Sequence, residues 1–297
     1  MSEPGDGSRP VAQLLLEAPS GVPYRLESGS LRDDWRPRIT FAGTGSNRVQ
    51  LLEPAEVANP AGEFFRAVVV EDPLAVTGDH FATTDGDVVV HPVNHASFVL
   101  RWRDRMIYND PVGGAARYSR LPRADLILVS HDHGDHFDTA TLNAVRQEGT
   151  RIIAPAAVFS RMSAALRALT LPLANGAETN AFGIRIEAVP AYNANHPRGA
   201  GNGYVLTVGE RRIYMSGDTG STPEMRALAD IDLAFLCMNV PFTMTIPDAV
   251  AAVRAFRPGI VYPYHFRNQG GGLADLAAFQ RGVADLPEIE VRRRTWY

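Results

Sequence analysis

Apolar positions along the chain fall in short runs separated by Gly, Pro, Asn and charged residues, with a change of texture near residue 86. Before it, residues 1–30 mix Pro, Gly, Ser and charge around one patch, Val11 to Leu16, which suggests an arm or a loosely packed extension. Residues 31–85 hold scattered turn signals and one convincing run, Phe64 to Val70. From Asp87 onward the runs tighten. Val88–Val90, Ser97–Trp102 and Met106–Tyr108 have the length and β-former content of strands, and Arg103-Asp104-Arg105 is a hairpin turn between the last two. Leu126–Val129 reads as a buried strand. Asp138 is placed to cap a helix reaching about Gln147, with Gly149 just past its end. Arg151–Ala154 is a strand, and Pro155 opens a helical stretch to about Ala168. Strands are expected at 182–189, 204–208, 211–215, 231–237, 259–262 and 289–293. Helices are expected at 223–229, 246–256 and 273–284. Strands dominate the first half of this region and alternate with helices in the second. That mixture predicts an α/β protein of two packed sheets with helices outside.

Composition narrows the class. The chain has 297 residues, 45% of them hydrophobic, which allows a sizeable core in one or two domains. No apolar run approaches the ~18 residues that span a bilayer. The first ten residues lack a basic start followed by an apolar stretch, so the expected location is cytoplasmic. A net charge of −4 without a dense basic block gives no reason to expect a nucleic-acid partner. Cys237 is the only cysteine and no lysine occurs, which excludes an intrachain disulfide, a lysine Schiff base and a P-loop lysine.

The chemistry concentrates after the Leu126–Val129 run, where His131, His133, Asp135 and His136 fall within six residues in S-H-D-H-G-D-H. The chain has eight histidines, and three of them stand here. Three imidazoles and a carboxylate crowded beside a core are costly to bury unless something pairs with them, and a divalent cation is the simplest partner. The alternation would put His131, His133 and Asp135 on one side of an extended segment. His136 would then face a second ion. His196, Asp218 and His265 each follow a predicted strand, and Gly217 and Gly220 flank Asp218 in a way that suits close backbone approach. His95, in N-H-A-S before a strand, is a further polar candidate for contact with substrate or with a ligand. Asn193 and Tyr264 are weaker ones.

The loop H-x-H-x-D-H at 131–136, the later His196, G-D-T at Asp218 and the final His265 stand in the order of the metallo-β-lactamase superfamily of metallohydrolases, which the chain resembles from about Asp87 onward. N-H-A-S at His95, N-D-P at Asp110, Tyr192-Asn193, the G-N-G-Y-V-L after His196 and R-I-Y-M-S-G-D-T are similar to a narrower branch. That branch contains L-ascorbate-6-phosphate lactonase and N-acyl-phosphatidylethanolamine phospholipase D relatives. The resemblance implies a four-layer αββα sandwich at 86–297, with residues 1–85 as an N-terminal extension to which no function is carried. It implies two divalent metal ions, zinc in the first instance with manganese or iron as alternatives. His131, His133 and His196 would hold one ion, Asp135, His136 and His265 the other, and Asp218 would bridge them. It implies a hydrolase that uses a hydroxide between the ions to cleave an ester, lactone or phosphodiester of a small molecule or lipid, with Asp135 handling the proton. A nuclease or an iron-dependent oxidoreductase on the same fold is the alternative. Against the nuclease, only 22 positions separate His196 from Asp218, too few for an inserted clamping domain.

Overall fold

The computed structural model describes residues 11–29, 34–52, 64–71 and 76–297. The first six strands are β1 (Val11–Ala18), β2 (Pro23–Gly29), β3 (Arg36–Ala42), β4 (Gly45–Leu52), β5 (Phe64–Val69) and β6 (Gly78–Thr83). They lead into β7 (Gly86–Asn94), β8 (Ser97–Trp102), β9 (Arg105–Asn109), β10 (Ala124–Leu128), α1 (Thr139–Val145), β11 (Arg146–Ala154), α2 (Ala156–Arg161), α3 (Ala164–Arg167) and β12 (Thr170–Pro172). The second half runs β13 (Glu178–Ala181), β14 (Ile184–Ala191), β15 (Gly201–Val208), β16 (Arg211–Met215), α4 (Pro223–Arg226), β17 (Leu233–Cys237), α5 (Ile246–Phe256), β18 (Ile260–Tyr264), α6 (Leu276–Gly282) and β19 (Glu290–Val291).

Among the described residues two large sheets form the body, beside a two-stranded sheet of β1 and β4. One has ten strands in the order β12-β11-β10-β9-β8-β7-β6-β3-β2-β5; the other has seven, β13 through β19 in sequence order. Side-chain alternation explains how they stack. In β10, Leu126 and Leu128 join the core between the sheets, while Ile127, and Val129 just past the strand, face a second core under α1, α2 and α3, with Leu142, Val158 and Leu166. Phe98 of β8 stacks on Phe235 of β17 with ring centroids 4.0 Å apart, which joins sheet to sheet. Tyr214 of β16 meets Phe256 of α5 edge-on, which joins the second sheet to its outer helices. The result is the expected four-layer αββα sandwich.

Most predicted elements lie within two residues of their expected ends. α5 matches residue for residue, because Thr245 and Asp248 form a reciprocal capping box and Pro247 sits in the first turn. Three differences have identifiable causes, the first two local and the third not. The single helix expected at 155–168 is two, because Met162 and Ser163 are extended and the Ser163 hydroxyl caps α3 at Leu166 N–H. The helix expected from 273 starts at Leu276, where Asp275 caps it. Residues 11–29, read as a loose arm, instead form β1 and β2, and β2 pairs on both sides, with β3 and β5. Its Glu27 is buried and bound by both Arg25 and Arg66, so burying this polar strand leaves no charge unpaired. Residues 1–10 of that expectation lie outside the described residues. β6 hydrogen-bonds β7 across residues 84 and 85, so the large sheet continues through that point.

Candidate metal centre

The clustered side chains come from one end of the sandwich. The loop after β10 brings His131, His133, Asp135 and His136; the segments after β14, β16 and β18 bring His196, Asp218 and His265; the β7–β8 turn brings His95. The 131–136 loop is not extended. The His133 carbonyl accepts the N–H groups of His136 and Phe137, which coils the chain and turns Asp135 away from His131 and His133. The alternation argument therefore misplaced Asp135, whose carboxylate stands instead beside the rings of His265 and His95.

The ring nitrogens converge closely. His133 Nδ1 lies 3.1 Å from His131 Nε2 and 3.2 Å from His196 Nε2. His136 Nε2 lies 3.0 Å from His265 Nε2, 3.2 Å from Asp218 Oδ1 and 3.7 Å from Asp135 Oδ2. Asp135 Oδ2 and Asp218 Oδ1 are each 3.4 Å from His265 Nε2. The other Asp218 oxygen, Oδ2, is 3.6 Å from His196 Nε2. Nitrogen ligands at 2.0–2.1 Å on a tetrahedral ion would stand about 3.3 Å apart, which is the spacing found. Asp218 Oδ1 is buried with no hydrogen-bond partner, as expected of an oxygen meant for a cation.

Second partners fix which nitrogen faces the centre in three of the rings. Asp110 is fully buried. It accepts Ser130 N–H at 2.7 Å on Oδ1, and Ser130 O–H at 2.7 Å and His136 Nδ1–H at 2.8 Å on Oδ2. The Ser130 hydroxyl proton is thereby committed, so its oxygen accepts His131 Nδ1–H at 3.0 Å. Asn193 Oδ1 accepts His196 Nδ1–H at 2.9 Å, and its amide donates to the Phe242 carbonyl. His131 and His196 are thus left with Nε2 lone pairs pointing inward, and His136 with Nε2 as the nitrogen that faces the centre, the arrangement that carboxylates and carbonyl oxygens impose on metal-bound histidines. His95, Asp110 and His265 all have left-handed backbone (φ 54, 43 and 47), an uncommon state for these residues held here by the surrounding contacts. Gly217 is required by space and by φ 59. A Cβ there would lie 2.9 Å from the Asn202 carbonyl oxygen and 3.1 Å from Ser130 Cβ. Gly220 has ordinary room, so only one of the two expected glycines is needed for close approach.

Electrostatics follow from burial among like and unlike charges. Burial pushes His131 down to about 2, assisted by the charge of His136. His136 is raised well above the ordinary imidazole value, because Asp218 and Asp110 overrule the effect of its burial. Burial works to raise Asp135 and Asp218, but the neighbouring imidazoles hold both well below the usual carboxylate range, His265 foremost for each.

Of the other expected candidates, His95 is in place, with Nε2 3.3 Å from Asp135 Oδ2. Tyr264 is fully buried, its hydroxyl turned to Ser216 Oγ at 3.5 Å. Sequence reasoning missed Ser130 and gave Asp110 no role beyond the N-D-P signature. Their partnership spans 20 positions and has no local pattern. A cavity of about 40 Å³ is lined by Ser130, His131, His133, His196 and Asp218, among others. A larger cavity, about 870 Å³, lies at the opposite ends of β16 to β19 beside Arg211, Asp232 and Glu290. Size favours that cavity as a binding site, but the convergent ionisable groups are in the small one, and chemistry decides.

Residues 90–265 match the model of the beta-lactamase superfamily domain. A Pyrococcus horikoshii protein described as a UPF0173 metal-dependent hydrolase is 29% identical over 216 residues, 69% of this chain and 96% of that protein. A Parabacteroides distasonis protein of known crystal structure, provisionally called a metal-dependent hydrolase, is 37% identical with a TM-score of 0.65, covering 73% of this chain and 97% of that one. A metallo hydrolase from Ignicoccus hospitalis shares the fold at 22% identity and TM-score 0.61, over 70% of this chain and 94% of that one.

Proposed function

The chain belongs to the metallo-β-lactamase superfamily, and from that membership we propose that it is a metal-dependent hydrolase working with two divalent cations. The proposed substrate bond is an ester, lactone or phosphodiester of a small molecule or lipid. The observation that carries the two-ion reading is Asp218, whose Oδ2 faces His196 while its Oδ1 faces His136 and His265. In this reading His131, His133 and His196 hold one ion, Asp135, His136 and His265 the other, with Asp218 between. Histidine and carboxylate donors suit zinc first, and also manganese or iron. When bound, such ions lower the pKa of water toward neutrality and polarise a carbonyl or phosphoryl oxygen. The residues supply the rest. Asp110, Ser130 and Asn193 keep ring lone pairs directed inward. Asp135 is the exposed carboxylate of the set, so it can take a proton from the attacking water while it faces substrate. His95 holds Asp135 in position through Nε2.

The test is metal quantification of the purified protein, followed by a hydrolysis screen over lactones, phosphodiesters and acyl esters. Asp218→Ala and His133→Ala should each lower hydrolysis by at least about a thousandfold while far-UV circular dichroism stays unchanged. Full activity in either variant overturns the mechanism. Iron content with oxygen consumption and no hydrolysis would move the assignment to an oxidoreductase.

A further inference from the structure

His95 reaches toward the metal centre from the β7–β8 turn and is gripped by a segment some 200 positions later. His95 N–H donates to the Trp296 carbonyl at 3.2 Å, and the His95 carbonyl accepts His265 N–H at 3.1 Å. The His95 ring lies against that of His265, centroids 3.8 Å apart. Trp296 is buried and packs edge-on against Phe98, Phe235 and Tyr264, which anchors the segment in the core between the sheets. Tyr297 then folds back. Its hydroxyl oxygen accepts Phe266 N–H at 3.1 Å and Arg267 N–H at 3.0 Å, its ring meets Phe266 edge-on, and the Arg267 guanidinium covers the ring at 4.1 Å.

Hydrogen-bond arithmetic at that oxygen has one outcome. A phenol has one proton and two acceptor lone pairs. Both lone pairs are taken by backbone N–H groups, so the proton must be the one in the 2.9 Å contact with His95 Nδ1. Burial raises the Tyr297 pKa, in keeping with a phenol that retains its proton. His95 Nδ1 is therefore an acceptor, and the hydrogen of the neutral ring resides on Nε2, directed at Asp135 Oδ2 3.3 Å away. The reverse tautomer would set two lone pairs against each other at that contact.

We propose that Tyr297 is a positioning residue for the metal centre: its hydroxyl fixes the Nε2–H tautomer of His95, which in turn orients the Asp135 carboxylate. The tautomer relay stands on hydrogen-bond geometry alone. Its consequence for catalysis rests on the two-ion hydrolase reading above. Of the groups within reach of Asp135 Oδ2, His136 and His265 present ring nitrogens assigned to an ion, so His95 is the ring free to donate. Without the Tyr297 hydroxyl, His95 can take either tautomer, and Asp135 loses its fixed donor.

The experiment uses the full chain labelled with ¹⁵N-histidine. Long-range ¹H–¹⁵N spectra of the metal-free protein report the tautomer of each ring, and His95→Gln identifies the His95 signals by their loss. The wild type should show His95 as Nε2–H, and Tyr297→Phe, which keeps the ring packing, should show a mixture or the Nδ1–H form. In the loaded protein Tyr297→Phe should lower kcat about 10- to 100-fold with KM within about twofold, the range typical of losing an outer hydrogen bond to a metal site. In a His95→Gln background, where the side-chain amide can donate to Asp135 without help, adding Tyr297→Phe should change kcat less than about twofold. His95 as Nδ1–H in the wild type, or an unchanged tautomer in Tyr297→Phe, overturns the relay. A lower melting temperature with no tautomer change would assign Tyr297 a packing role and also overturn it. A tautomer shift in a protein that hydrolyses nothing would leave the relay standing and remove the hydrolase reading instead.

Discussion

Asp110→Asn isolates the role of buried hydrogen bonding behind the metal centre. The substitution keeps size and shape, so no cavity cost enters. Asp110 receives four hydrogen bonds, from Ser130 N–H, Ser130 O–H, His136 Nδ1–H and, at 3.4 Å, the Asn109 side-chain amide. An asparagine can still accept from Ser130 N–H through its carbonyl. Its NH₂ group then meets Ser130 Oγ and His136 Nδ1, where only acceptors are tolerated. His136 responds by accepting on Nδ1 and carrying its hydrogen on Nε2, the nitrogen that stands 3.0 Å from His265 Nε2 and 3.2 Å from Asp218 Oδ1. In the proposed two-ion reading, the lone pair that His136 would offer to the second ion is lost. Removing an outer partner of a metal-bound histidine typically costs 10- to 100-fold in affinity, about 1.4–2.7 kcal/mol. Competitive zinc titration against a chromophoric chelator should show one of two sites weakened by that factor while the other, built from His131, His133 and His196, changes much less. Elemental analysis after dialysis should fall from about two equivalents toward one. Two sites of unchanged affinity in Asp110→Asn would refute the claim that this carboxylate fixes the His136 tautomer.

Two other outcomes test the scaffold. Gly217→Ala should destabilise the protein by about 1–3 kcal/mol in urea unfolding, since its φ of 59 and the 2.9 Å approach to the Asn202 carbonyl both oppose a side chain. It should also weaken metal binding, because Asp218 is the next residue. Glu27→Gln removes the charge that binds Arg25 and Arg66, a loss of about 1–2 kcal/mol after allowing for the partial exposure of both arginines. Burial works to raise Glu27, but the two arginines hold its pKa below the ordinary 4.5. The folded value lies below the unfolded one. The contribution is therefore complete above about pH 4.5 and fades as pH falls through the folded value, so the two proteins should converge in stability under acid. A difference that stays constant or grows on acidification would contradict that assignment.

The seven clustered side chains were visible before any coordinates because a local physical conflict marked them. Ionisable groups crowded at 131–136 after an apolar strand have no inexpensive place in a fold without a cation. His196, Asp218 and His265 carried weaker marks, each following a predicted strand, and gained force only as a set. Helix α5 was readable to the residue because its start is encoded within four positions, Thr245 to Asp248. Short apolar runs rich in β-formers gave the strands in the same way, since each depends on neighbours in sequence.

Other features depended on residues far apart in the chain and left no local trace. Whether Asp135 faces His131 or His265 turns on two hydrogen bonds to the His133 carbonyl, and the alternation rule pointed the wrong way. The polar β2 was read as an arm because its stabilising partners, β5 and Arg66, lie some forty residues later. The protonated nitrogen of His95, His131, His136 and His196 depends on Tyr297, Ser130, Asp110 and Asn193, and none of these carries a spacing that announces it. A ligand's chemical type is written in its own side chain and immediate neighbours. Its orientation is a hydrogen-bond partnership, and only the folded sandwich brings the partners within 3 Å.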